Sequence, residues 1–148
     1  MPYTYEFPRP SVTVDAVLFT REAPRAVLLI QRGGEPFKGR WAIPGGFVDM
    51  EEDLEPAAHR ELEEETGLTG VKLAQFRTYG TPKRDPRGRT VSVVFVGEVD
   101  GRPKVKGQDD AKDARWFEVT SLPEPLAFDH DRVVAEALEW LDGGQRGP

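Results

Sequence analysis

The sequence predicts an α/β domain, and three observations carry that reading. A chain of 148 residues with 38% hydrophobic content suits one domain with a packed core. Five stretches read as strands, rich in β-branched and apolar residues. Two further stretches repeat their apolar residues at helical spacing and read as helices. The domain is expected over 11–142, with an extended arm over 1–10 and a frayed tail over 143–148.

The arm carries Pro2, Pro8 and Pro10 beside Tyr3, Tyr5 and Phe7, a density of proline that disfavours a helix. Ser11 to Thr20 follows as a strand, with Val12, Val14, Ala16 and Leu18 in alternation. Arg21 to Pro24 is a turn, and Ala26 to Gln31 is a second strand that pairs with the first as a hairpin. Residues 31–40 form a glycine- and proline-broken loop that carries Arg32, Lys38 and Arg40. After the first helix, Val71 to Tyr79 reads as a strand. A basic hairpin loop over 80–90 then holds Lys83, Arg84, Arg87 and Arg89, opposed only by Asp85. Such a loop either clamps an anionic ligand or is a solvated turn. Val91 to Val99 has the continuous apolar run of a buried central strand. Ala114 to Val119 is the last strand. A helix over about 131–141 closes the domain with a stripe of Val133, Val134, Ala137, Leu138 and Leu141.

The most informative stretch is Gly46 to Leu68, in which Glu61, Glu63, Glu64 and Glu65 crowd into five positions. Asp53 is placed to cap a helix, Pro56 falls in its first turn, and Gly67 follows its end in a left-handed conformation. Residues three and four apart share a helix face, so Glu61, Glu64 and Glu65 lie together and Glu63 points away. Leu54, Ala58 and Leu62 form the adjoining apolar stripe, which puts the three acids at the margin of the packed face. Like charges at i and i+4 cost about 0.2–0.5 kcal/mol even on an isolated helix, and burial adds to that. A hard divalent cation such as Mg²⁺ would relieve both. On spacing alone, a solvated acidic helix fits as well.

The whole string resembles the Nudix box, whose pattern is Gly, five residues, Glu, seven residues, then Arg-Glu-aliphatic-any-Glu-Glu-any-Gly-aliphatic. Gly46, Glu52, Arg60, Glu61, Leu62, Glu64, Glu65, Gly67 and Leu68 fill every specified position without a gap. The preceding Trp41-Ala42-Ile43-Pro44-Gly45 is similar to the family's lead-in. The resemblance implies the Nudix fold, a mixed β-sheet sandwiched between helices. It implies Mg²⁺, with Mn²⁺ as the alternative, on Glu61, Glu64, Glu65 and the carbonyl of Gly45. Catalytic roles fall by the same resemblance on Glu64, Glu65 and Arg60, with Glu52 pairing to Arg60 and Gly67 ending the helix. Arg32, Gly46, Arg84 and Arg87 are expected to meet substrate. A further acid from outside the box is expected at Glu98, Asp109 or Asp110, which spacing does not separate.

Asp85-Pro86-Arg87-Gly88-Arg89 and Ala127-Phe128-Asp129-His130 resemble the ADP-ribose group within that family. They imply hydrolysis of a nucleoside diphosphate-X substrate, ADP-ribose to AMP and ribose 5-phosphate. The alternatives are another nucleotide (an oxidised nucleoside triphosphate, a nucleotide sugar, a dinucleoside polyphosphate) or a non-catalytic ADP-ribose sensor. The expectation leans to the enzyme, because the box keeps all its acids and little sequence follows the last helix. His130 is expected to cap its helix or to contact substrate, and a homodimer is usual among such relatives.

Composition narrows the rest. A net charge of −6 argues against general nucleic-acid binding. The absence of cysteine removes disulfides, thiolate metal sites and a thiol nucleophile. No apolar run reaches membrane-spanning length and residues 1–10 have no secretory core, so the expected setting is the cytoplasm.

Overall fold

The computed structural model describes residues 4–143; residues 1–3 of the expected arm and 144–148 of the expected tail lie outside the described residues. Seven strands and two helices follow in the order β1 (Ser11–Thr20), β2 (Ala26–Arg32), β3 (Trp41–Ala42), β4 (Gly45–Phe47), α1 (Leu54–Thr66), β5 (Ala74–Tyr79), β6 (Thr90–Val99), β7 (Ala111–Glu118), α2 (His130–Asp142). Residues 4–10 are exposed and form neither helix nor strand.

β1 and β6 run parallel over their whole length, from Ser11 opposite Thr90 to Thr20 opposite Val99. β5 pairs antiparallel on the far side of β6, which makes β6 the central strand its composition predicts. β1 and β2 form the expected hairpin, but they pair only at Phe19 and Val27. Beyond that point they part. β4 pairs with β1 from Thr13 to Asp15, and β3 pairs with β2 at Ile30 and Gln31. β7 lies on the outer side of β2.

The alternation expected in β1 is real, but both of its faces are buried. Val14, Ala16 and Leu18 pack with Leu28, Val93 and Phe95 under Ala57, Ala58 and Leu62 of α1. Val17 and Phe19 pack with Val27, Leu29, Val94 and Val96 under Val133, Val134, Ala137 and Leu141 of α2. The sheet is thus covered on each side by one helix, and a period of two persists within a continuously buried strand.

The first helix begins and ends as its sequence predicts. Asp53 caps it, its carboxylate accepting the Leu54 N–H at 2.7 Å. Gly67 takes φ +82° and its N–H closes on the Glu63 carbonyl. The strand boundaries that differ most from expectation are the start of β5, at Ala74, and the start of β7, already at Ala111. Gly143, expected in the tail, ends α2 by donating to the Glu139 carbonyl.

At Gly97 of β6 a Cβ would stand 2.7 Å from the Lys72 carbonyl oxygen and 3.0 Å from Leu18 Cδ2. Gly97→Ala should therefore lower stability by about 1–3 kcal/mol, the usual cost of overpacking. A urea midpoint equal to wild type, at an unchanged slope, contradicts that packing.

Candidate active site

Where β1 and β2 part, a cavity of about 710 Å³ opens between the two halves of the sheet. Its floor is β1, its near wall is β4 and the face of α1, and its far wall is made by loops 80–90 and 126–130. The box helix points its acids into this space with graded exposure. Glu65 is 7% exposed, Glu61 is half-buried and Glu64 is exposed. Glu63 faces solvent, as its place on the wheel predicts.

Glu65 is held by the strand that precedes the box. Gly45 donates its N–H to Glu65 Oε1 at 2.9 Å. Burial pushes Glu65 up to about 8, assisted by the charges of Glu61, Asp15 and Asp110 and opposed by that one hydrogen bond. Burial raises Glu61 as well, while Arg60 pulls it down. A Cβ on Gly46 would lie 2.5 Å from Glu61 Oε2, so only glycine lets this carboxylate lie against the loop.

Arg60 organises the opposite side of the acids. Its Nε and Nη2 donate to the two Glu52 oxygens at 2.6 and 2.8 Å, a bidentate pair. Nη2 also donates to the Phe47 carbonyl. Nη1 reaches both Glu61 Oε2 at 2.9 Å and Glu64 Oε1 at 3.1 Å. The expected Glu52 partnership is therefore present, and Glu61, Glu64 and Glu65 all line the one cavity. Arg60 lies between two of them, and among the described residues no three acidic or histidine side chains form a ready ion site. In chemistry the group still fits a hard divalent ion. Its atoms are carboxylate oxygens, one of them buried among like charges that a cation would neutralise.

The remaining expected residues separate clearly. Arg32 lines the cavity, half-buried, with Nε donating to the Pro36 carbonyl at 2.6 Å. Burial and the neighbouring Arg87 cation lower its affinity for its proton. Arg87 also lines the cavity, folded onto the Asp85 carboxylate and stacked 4.9 Å from the Phe47 ring. Arg84 lines the cavity as well, but its donors are engaged inside the protein. Its side chain is 6% exposed, and Nε, Nη2 and Nη1 all donate within the protein, to Asp129 twice and to Ser92. It ties loop 80–90 to the start of α2.

Glu98 does not fit the role of extra acid. It sits opposite Phe19 at the far end of β6, 3.4 Å from Arg25, and does not line the cavity. Asp109 and Asp110 do line it. They are brought there by a strap across the end of α1, where Lys106 and Gln108 donate backbone N–H groups to the Thr66 and Glu65 carbonyls. His130 does not cap α2 with its side chain. Its Nδ1 accepts the Ile43 N–H at 3.0 Å.

Asp15 is the residue that sequence reasoning missed. It is 7% exposed on β1, next to Gly45, where a Cβ would collide with its carboxylate. Burial pushes it up to about 7, with Arg84 opposing and Asp129 and Glu61 adding to the shift. A signal was present: between its polar ends, Ser11 and Thr20, the strand is apolar except at Thr13 and Asp15. Thr13 Oγ1 and Ser92 Oγ, 2.5 Å apart, join the same polar floor.

The sequence profile of the NUDIX domain family matches residues 9–137. This chain belongs to that family. It is 42% identical over 134 residues to an ADP-ribose pyrophosphatase of Methanocaldococcus jannaschii, covering 90% of this chain and 76% of that protein. It is 36% identical over 145 residues to the ADPR responsive transcriptional repressor NtrR of Acinetobacter baylyi, covering 95% of this chain but 58% of the repressor. Its fold matches the NUDIX domain of Shewanella oneidensis NrtR, solved in complex with ADP ribose, with a TM-score of 0.85 and 36% identity over 91% of this chain and 90% of that one.

Asp15 makes the metal-free stability pH-dependent. An unfolded aspartate loses its proton near 3.8, whereas the folded one keeps it to about 7, so stability falls as pH rises across that window. Asp15→Asn mimics the protonated side chain and should raise the metal-free Tm by several degrees at pH 8, with the gain shrinking towards pH 4. A shift equal at both pH values contradicts the burial of this charge.

Proposed function

We propose that this chain hydrolyses ADP-ribose at its diphosphate, giving AMP and ribose 5-phosphate. One juxtaposition carries the reading. Three box carboxylates face Arg32 across a single cavity, and among the described residues Arg32 forms no ion pair. A half-buried guanidinium without a counter-ion, beside a second one, suits a phosphate oxygen. The carboxylates opposite suit the divalent cation that accompanies a diphosphate. The ADP-ribose pyrophosphatase relative and the ADP-ribose-bound neighbour support that substrate.

In this proposal Glu61, Glu64, Glu65 and the Gly45 carbonyl hold Mg²⁺ or Mn²⁺. When bound, such an ion supplies charge neutralisation for the diphosphate and Lewis acidity at phosphorus. The protein's own groups do the rest. Arg32 and Arg87 orient the phosphates from the far side. Glu52 holds Arg60, and Arg60 keeps the Glu61 and Glu64 carboxyls turned towards the cavity. Gly45 fixes Glu65 by its N–H. The proton of the attacking water passes to a carboxylate of the helix or to Asp109 or Asp110, general-base help worth typically about 10²–10⁴-fold.

A second reading has its own support: ADP-ribose is bound and not cleaved, as a sensing domain requires. One assay separates the two. ADP-ribose with Mg²⁺ should yield AMP, and faster than a nucleotide sugar, a dinucleoside polyphosphate or an oxidised nucleoside triphosphate is cleaved. Binding without AMP release selects the sensor, and an equal or faster rate on another substrate rejects the specificity.

Two substitutions test the roles. Glu64 is exposed and accepts a hydrogen bond from Arg60, so Glu64→Gln should leave the Tm near wild type while kcat falls by several orders. Near-normal turnover removes the metal assignment. Arg32→Ala removes a charged hydrogen bond of about 1.5–3 kcal/mol, which predicts a KM raised about 10–100-fold with kcat less affected. An unchanged KM would take Arg32 out of the substrate site.

A further inference from the structure

The floor of the cavity holds a buried acid without a partner. Asp15 is 7% exposed and lines the cavity from β1. Among the described residues its carboxyl group takes part in no hydrogen bond and no ion pair. The polar groups nearby are engaged elsewhere. Thr13 and Ser92 bond to each other, and Ser92 also accepts from Arg84 Nη1 at 2.7 Å. The other two Arg84 donors go to Asp129. Arg60 is occupied by Glu52, Glu61 and Glu64, and Arg87 by Asp85.

Backbone pairing fixes where this acid lies. Asp15 stands opposite Gly45 in the β1–β4 ladder, and the Ala16 N–H donates to the Pro44 carbonyl at 2.9 Å. The space a Cβ on Gly45 would need is taken by the Asp15 carboxyl group. The same glycine donates its N–H to Glu65 Oε1 at 2.9 Å. Two buried acids thus share Gly45 as a neighbour, and among the described residues neither forms an ion pair. A buried charge is costly unless something of opposite sign meets it.

We infer that Asp15 is a positioning residue of the cation site, adding its negative charge across Gly45 to the hold that Glu61, Glu64, Glu65 and the Gly45 carbonyl have on a divalent ion. Charges this deep in a protein act on one another far more strongly than in water. A substrate hydroxyl bonds to one carboxylate but leaves the joint charge of Asp15 and Glu65 standing, whereas a divalent ion answers both. The same carboxylate therefore weakens the metal-free fold and strengthens the loaded one. This inference rests on the cation site of the proposed function and assigns to it a residue outside the box and its lead-in.

The test measures Mn²⁺ binding by calorimetry at pH 8, without nucleotide, to wild type, Asp15→Asn and Glu63→Gln. Asparagine keeps the shape of Asp15 and removes its charge. Glu63 faces solvent, so Glu63→Gln reports the effect of net charge alone. Asp15→Asn should bind Mn²⁺ about 10–100-fold more weakly, the usual effect of losing a group that supports a metal from outside its ligands. Glu63→Gln should bind close to wild type. The rise in Tm on adding Mn²⁺ should shrink in Asp15→Asn and in neither of the others. Equal Mn²⁺ affinity in wild type and Asp15→Asn overturns the inference while the cation site stands, and so does equal weakening in both variants. Should Mn²⁺ affinity hold and only the KM for ADP-ribose rise, Asp15 serves the substrate and the inference falls. If wild type binds no Mn²⁺, the cation site itself falls, and the role of Asp15 with it.

Discussion

The site exists because β1 and β2 stay together for a single residue pair and then separate. Strands of one sheet normally lie about 4.7–4.9 Å apart, which leaves no room for a ligand between them. After Phe19 and Val27 each strand takes a different partner, β4 for β1 and β3 for β2. β4 supplies backbone partners at Thr13–Asp15 and β3 at Ile30 and Gln31. β3 and β4 are joined only by Ile43 and Pro44, and that link crosses the gap. Its two ends are tied to the walls, Ile43 to His130 and Gly45 to Glu65.

Around that opening the protein gathers negative charge to an extent that folding alone would disfavour. Asp15 and Glu65 are both buried and both pushed towards the protonated form. Glu61 is raised as well, although Arg60 is in contact. A single arginine cannot serve them all. It binds Glu52 in two places and shares one nitrogen between Glu61 and Glu64, while Glu65 accepts the Gly45 backbone N–H. Buried like charges are costly, and their presence at one end of one cavity is the electrostatic signature of a functional site.

The far wall shows the same economy of support. Asp85 is buried and its carboxylate gathers the Arg87 backbone and guanidinium, which folds loop 80–90 on itself. Arg84 then fastens that loop to Asp129 and Ser92. Two arginines of one basic loop thus line the cavity in different ways: Arg84 also joins two walls, and Arg87 folds onto Asp85 within its own loop. Their chemistry is identical, and only their neighbours distinguish them.

Local rules were enough for much of this protein. The caps at Asp53 and Gly67, the direction of Glu63 and the hidden edge of Glu65 follow from helical spacing, because a helix fixes where neighbouring side chains point. The Glu52–Arg60 pair and the family itself followed from a pattern confined to one short stretch. Long-range contacts decided the rest. Nothing near Glu98 in the chain reveals that parallel pairing carries it to the wrong end of β6, or that a strap across the end of α1 delivers Asp109 and Asp110 instead. Asp15, Phe128 and His130 come together only when β1, loop 126–130 and the start of α2 meet around one cavity. Burial and charge at those positions are sums over residues distant in sequence, and no local window contains them.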